Sequence, residues 1–139
     1  MNVLDDVKIK KALKILQYEI RMFNESYNLL ILLTDNTIIK SIILENFLLH
    51  TRNLFYFLTG HKDDRDIICL GIGIEKINLD LPEDNSLCMI DKYLSHITKQ
   101  RIEQAPPVWH YLLIKQTIDN GLEISGVNKL IQNNKDNNN

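Results

Sequence analysis

The sequence predicts an all-α fold, an up-and-down four-helix bundle, from three features of its apolar pattern. Apolar residues recur at three- and four-residue steps from Ile9 to Ile31. They recur again from Leu44 to Leu58, and two shorter stripes of the same period flank Ala105-Pro106-Pro107. An α-helix turns once every ~3.6 residues, so this spacing gathers the apolar side chains on one face of each segment.

In the first helix the stripe is Ile9, Ala12, Leu13, Leu16, Ile20, Phe23, Tyr27, Leu30 and Ile31. Lys8, Lys10, Lys11 and Lys14 stay off it, while Asp5 and Asp6 fall where the positive end of the helix dipole favours carboxylates. Thr34-Asp35-Asn36-Thr37 stops the helix and starts the next, with Asn36 or Thr37 as the cap. The second helix runs to about Thr59 and ends at Gly60. Its stripe is Leu44, Phe47, Leu48, Thr51, Leu54, Phe55 and Leu58, yet Ile42, Leu49, Tyr56 and Phe57 lie on the other side. A helix apolar nearly all round is central or has a second buried surface. The expected cover is a second copy of the chain, a homodimer through the second helix; the competing cover is the run Ile67 to Ile74 folded back over it.

His61 to Asp66 reads as a solvated turn, and the glycine-containing run from Ile67 to Ile74 is assigned to neither helix nor strand. Pro82-Glu83-Asp84-Asn85-Ser86 opens a third helix with Leu87, Ile90, Tyr93, Leu94 and Ile97 as its stripe, reaching about Glu103. Proline then suits the start of a last helix with Tyr111, Ile114, Ile118 and Leu122 on one face, and Asn120-Gly121 is a candidate kink. The folded domain is expected to span residues 1–131. Beyond Ile131 the Asn-rich segment 132–139 has no apolar residue to bury and is expected to be a disordered tail.

At 139 residues the chain has room for one domain and one core, and 45% apolar with 24% charged residues is the balance of a globular protein. Sixteen basic against eighteen acidic residues give a net charge of −2, so any contact with nucleic acid or anionic lipid would be local. Cys69 and Cys88 are too few for a disulfide framework, which suits a reducing compartment. No secretory leader is read at Met1 to Asp6, and the most apolar stretch, Leu29 to Leu49, is broken by polar residues before it reaches membrane-spanning length. A cytoplasmic protein without a membrane segment is expected.

No metal or cofactor site is expected from the titratable residues. At helical ligand spacing His50 meets Asn46 and Leu54, and His96 meets Lys92 and Gln100. Glu45 precedes His50 by five residues, as Asp91 precedes His96, and five steps turn a helix by about 140°, which separates each pair. Glu45, His50, Arg52, Asp91, His96 and Arg101 are therefore a candidate polar cluster only if the helices bring them together, and no catalytic residue is assigned. Arg101 falls in the third helix's apolar stripe, so it is expected to pair with a carboxylate such as Glu45. Arg52 and Glu45, on one flank of the second helix, are placed in the same network. The acidic pairs Asp63/Asp66 and Asp80/Glu83 lie in loops and do not make the helical magnesium site of an all-α nucleotide pyrophosphohydrolase. Gly71-Ile72-Gly73 lacks the rest of a dinucleotide loop, and Lys8 to Lys14 have no interleaved aromatic rings for stacking bases.

Leu48-Leu49-His50-Thr51-Arg52-Asn53-Leu54-Phe55-Tyr56-Phe57-Leu58, with Asp91-Lys92-Tyr93-Leu94-Ser95-His96-Ile97-Thr98 and Arg101, resembles an uncharacterised bacterial helical-bundle family. Its pattern is LLHxRNLxxFL, then NKxLxHLTxxR, then a tryptophan-led last helix, here at Trp109; position 91 is Asp where the pattern has Asn. More distantly the chain is similar to HEPN helical domains, whose active members carry an arginine, four to six residues, then a histidine. Here eight residues separate Arg52 from His61, and eight separate Arg101 from His110, so that resemblance implies the fold and not the RNA cleavage. The expected function is a non-enzymatic helical binding or assembly module, with an RNA- or nucleotide-directed enzyme as the alternative.

Overall fold

The first helix, α1 (Asp6–Leu32), begins where Asp5 accepts the backbone N–H of Lys8 at 2.9 Å, with Asp6 adding charge in the first turn. The computed structural model describes residues 4–35, 38–60, 69–95 and 107–137. Among these the chain forms α1, α2 (Ile38–Thr59), α3 (Leu87–Ser95), α4 (Tyr111–Ile124) and α5 (Val127–Asn137), with no strand. Two 3-10 turns, Cys69–Ile72 and Glu83–Asn85, lie between α2 and α3. The all-α class expected from the sequence holds.

The hairpin of α1 and α2 is antiparallel: Asn46 of α2 bonds Ser26 of α1, and Asn53 lies against Glu19. Along α1 the side chains turned to this seam are Ala12, Leu16, Glu19, Phe23, Ser26 and Leu30, at alternating steps of three and four. On α2, Phe47, His50, Leu54 and Phe57 follow the same steps. This ~3.5-residue repeat is that of helices wound along each other, and it leaves Ile31, expected in the stripe, turned outward. Phe23 stacks on Phe47 with ring centroids 5.2 Å apart, at the middle of the core. Gly60, at φ 68°, ends α2 in the left-handed conformation that glycine adopts without steric cost.

The segment after α2 packs back on the hairpin. Cys69, Ile72 and Ile74 are buried, the Leu4 N–H donates to Gly71 O at 3.1 Å, and the Ile77 N–H donates to Leu58 O at 3.0 Å. Residues 67–68 and 61–66 lie outside the described residues. Asn85, fully buried, then ties the chain together: its amide donates to Val108 O at 2.9 Å and its Oδ1 accepts the His110 N–H at 2.7 Å. That clamp fixes where α4 begins relative to α3.

Helix α4 lies parallel to α2, with the Tyr111 ring edge-on to Phe47 and Gly121 against Leu58. Asn120-Gly121 does not kink it. A Cβ on Gly121 would stand 3.0–3.1 Å from Leu79 and Leu58 side-chain atoms, so the glycine serves close packing inside a continuous helix. The break comes instead at Ser125-Gly126, where Gly126 takes φ 85°. Beyond it α5 is anchored by buried Val127 and Ile131. Residues 132–137, in the segment expected to be a tail, continue α5 as exposed polar turns, Gln132 donating to Asp136 at 3.0 Å. A helix held by two buried side chains carries a further turn or two at little cost, because each added residue completes one more backbone bond.

Candidate functional site: polar seams of the second helix

Of the six side chains in the candidate polar cluster, Glu45, His50, Arg52 and Asp91 are described, whereas His96 and Arg101 lie outside the described residues. The described members divide between two faces of α2, because His50 and Arg52 are two residues apart and point about 200° apart around the helix. His50 faces α1. There its Nδ1 contacts Glu19 Oε2, and Asn53 donates to the same carboxylate at 3.3–3.4 Å. The His50 and Glu19 side chains are only 6% and 19% exposed. A carboxylate can only accept, so Nδ1 carries the proton. Tyr18 packs edge-on to the imidazole at 5.9 Å and fixes the ring plane.

Arg52 faces α3. Its Nη1 lies 3.1 Å from Asp91 Oδ1, and the Tyr56 hydroxyl donates to Asp91 Oδ2 at 3.1 Å. Asp91 is thus held by two α2 side chains four residues apart, at the spacing that stacks them on one face. Of the network expected around Arg52, Asp91 takes the guanidinium, while Glu45 is exposed. The pairing of Arg101 with Glu45 and the position of His96 lie outside the described residues.

Glu19 escapes a reading that follows Leu16 to Ile20 to Phe23. A signal is present all the same: Glu19 stands three residues after Leu16 and four before Phe23, so it sits on the seam as a charged residue among apolar neighbours. Ser26 is the same case, three after Phe23 and four before Leu30, and it is buried, its hydroxyl donating to Met22 O. Polar layers of this kind make a hairpin register distinct from its slipped alternatives, since a slip leaves a carboxylate and an imidazole unpaired.

A third polar group is set among rings. Lys115 of α4 bonds Asp119 one turn along, and its ammonium lies 5.5 Å from the Phe23 ring centroid and 5.4 Å from that of Tyr27. Cation–π attraction ties α4 to α1, and the Asp119 carboxylate, one turn along α4 itself, steadies the ammonium. Beside them, burial pushes the Tyr111 phenol above its ordinary pKa of 10.0, and the neighbouring Tyr93 hydroxyl adds to the shift. Among the described residues no group of three or more His, Cys, Asp or Glu side chains could hold a metal ion, and no helix is long and apolar enough to cross a membrane.

What the seams do chemically is bind one helix to another. Each charged group described there is turned toward a partner within the chain rather than toward a cleft. No protein-family model, curated protein or solved structure matches this chain.

Proposed function

We propose that the chain is a non-enzymatic helical assembly module that pairs with a second copy of itself through the end of the α1–α2 hairpin where the two helices are joined. One observation carries this reading. Leu29, Ile31, Leu32, Ile38, Ile39 and Ile42, large aliphatic side chains on either side of a single turn, are each between 46% and 78% exposed. Scattered apolar residues are ordinary on a protein surface, but six exposed at one end of a hairpin are a concentration of the kind that marks an interface. A two-fold axis lets one such patch cover its own copy.

The surface differs from the one the sequence suggested. Phe57 is buried, and Leu49 and Tyr56 are partly covered, with α3 and the 69–77 segment packed against α2; Ile42 alone of that group stays exposed. The interface therefore moves to the first turns of α2. The module itself is an up-and-down four-helix bundle whose last helix is split into α4 and α5, a reading supported by the antiparallel hairpin and by α4 running parallel to α2. Two cysteines, Cys69 buried and Cys88 exposed, are too few for a disulfide framework and suit a reducing compartment, the cytoplasm. Likeness to the bacterial helical-bundle family remains part of the proposal, supported by the use of His50, Arg52 and Asp91 as helix-to-helix ties.

Light scattering on the full chain at micromolar concentration tests the assembly. A dimer that Ile38→Glu/Ile42→Glu converts to a folded monomer is the expected result; a wild-type chain that stays monomeric up to the highest soluble concentration overturns it. Turnover of RNA or nucleotides with divalent metals would replace the module with an enzyme.

A further inference from the structure

A groove of about 650 Å³ runs between α1 and α5, within the range of small-ligand sites. Its α1 wall is a line of side chains at steps of four, three and four: Lys14, Tyr18, Arg21 and Glu25. Its α5 wall includes Gln132 and Lys135. Three cations thus face one space against a single carboxylate, although the chain as a whole carries a net charge of −2. Lys14 and Arg21 are two turns apart, about 10 Å at the helical rise, with the half-exposed Tyr18 ring between them. That ring is braced from behind by His50.

We propose that this groove binds a nucleoside polyphosphate, its phosphates between Arg21, Lys14 and Lys135 and its base on the Tyr18 ring. Guanidinium and ammonium groups supply charge-assisted bonds to phosphate oxygens, and an aromatic face stacks a base whatever its identity. Lone phosphate would use the cations but not the ring. Because α5 supplies one wall, the turns past Ile131 that the sequence assigns to a tail become part of the site.

Calorimetric titration of the full chain with ATP, tripolyphosphate and a single-stranded oligonucleotide separates the sources. ATP is expected to saturate one site and to bind more tightly than tripolyphosphate. Arg21→Glu and Lys135→Glu each weaken ATP about tenfold or more, the worth of one charged hydrogen bond. Tyr18→Leu lowers ATP affinity to that of tripolyphosphate and leaves tripolyphosphate unchanged. These side chains are solvent-exposed, and circular dichroism confirms that the variants fold; should one fail to, Lys14→Gln is read in its place with the same expected direction. No saturable ATP binding, binding indifferent to the charge reversals, ATP no tighter than tripolyphosphate, or an oligonucleotide that binds where ATP does not would each overturn the proposal.

Discussion

The two polar seams of α2 use similar chemistry in different surroundings. Toward α1, the His50–Glu19 pair is nearly enclosed, at 6% and 19% exposure, and is joined by Asn53. Toward α3, Arg52 and Asp91 are 24% and 38% exposed, with one added bond from Tyr56. The lesson is that a polar pair's importance follows its access to water more than its distance. An enclosed carboxylate that loses its partner has little solvent to replace it, whereas Asp91 still reaches water.

That contrast predicts the largest effect at His50. His50→Leu leaves the Glu19 carboxylate facing an apolar side chain and should lower unfolding stability by about 3 kcal/mol. Glu19→Leu/His50→Leu should regain most of it, because a well-packed apolar pair is often as stable as the buried polar pair it replaces. Urea unfolding of the two variants checks this, and a double variant as unstable as the single would show that the seam depends on the polar layer itself.

A smaller loss is expected on the α3 side. Arg52→Met should cost less than about 1 kcal/mol, the range of partly solvated ion pairs, and Tyr56→Phe a similar amount. The same unfolding measurement in added salt sharpens the comparison: Arg52→Met should approach wild type as screening rises, while His50→Leu should not.

The smallest effect is read from pH. Burial, with Tyr93 nearby, raises the pKa of Tyr111, so folding favours its protonated form. Below the ordinary value near 10.0 both folded and unfolded chains hold the proton and nothing changes. Above it the unfolded chain releases the proton first, the unfolded state binds fewer protons, and stability falls until the folded phenol also ionises. Thermal melts of wild type and Tyr111→Phe across this range should diverge, with the variant falling less steeply.

Much of the hairpin is legible in the sequence. The end of α2 at Thr59 and Gly60, the Asp5 start and the core positions Leu16, Phe23, Phe47, Leu54 and Leu58 all follow from period, capping and glycine chemistry. The run from Cys69 to Ile74 is legible only as a candidate cover for α2; its 3-10 turn and its bonds, from the Cys69 thiol to Leu58 O and from the Leu4 N–H to Gly71 O, are announced by no periodicity. Gly121 shows the same limit from the other side. A glycine in a helix reads as a kink until its neighbours are known, and only the approach of Leu58 and Leu79 reveals it as a packing device.

For this protein the sequence by itself determined the class of fold, the start of the first helix and the end of the second, since those depend on interactions within a few residues of one another. Tertiary structure alone decided that Glu19 is His50's partner, that Asp91 takes Arg52, and that the polar end of the chain continues a helix beside Lys14 and Arg21. Those outcomes turn on the rotation and register of whole helices. A side chain's partner is fixed by where two axes cross, and the charges concerned are compatible with several partners until packing of the apolar seams leaves one within reach.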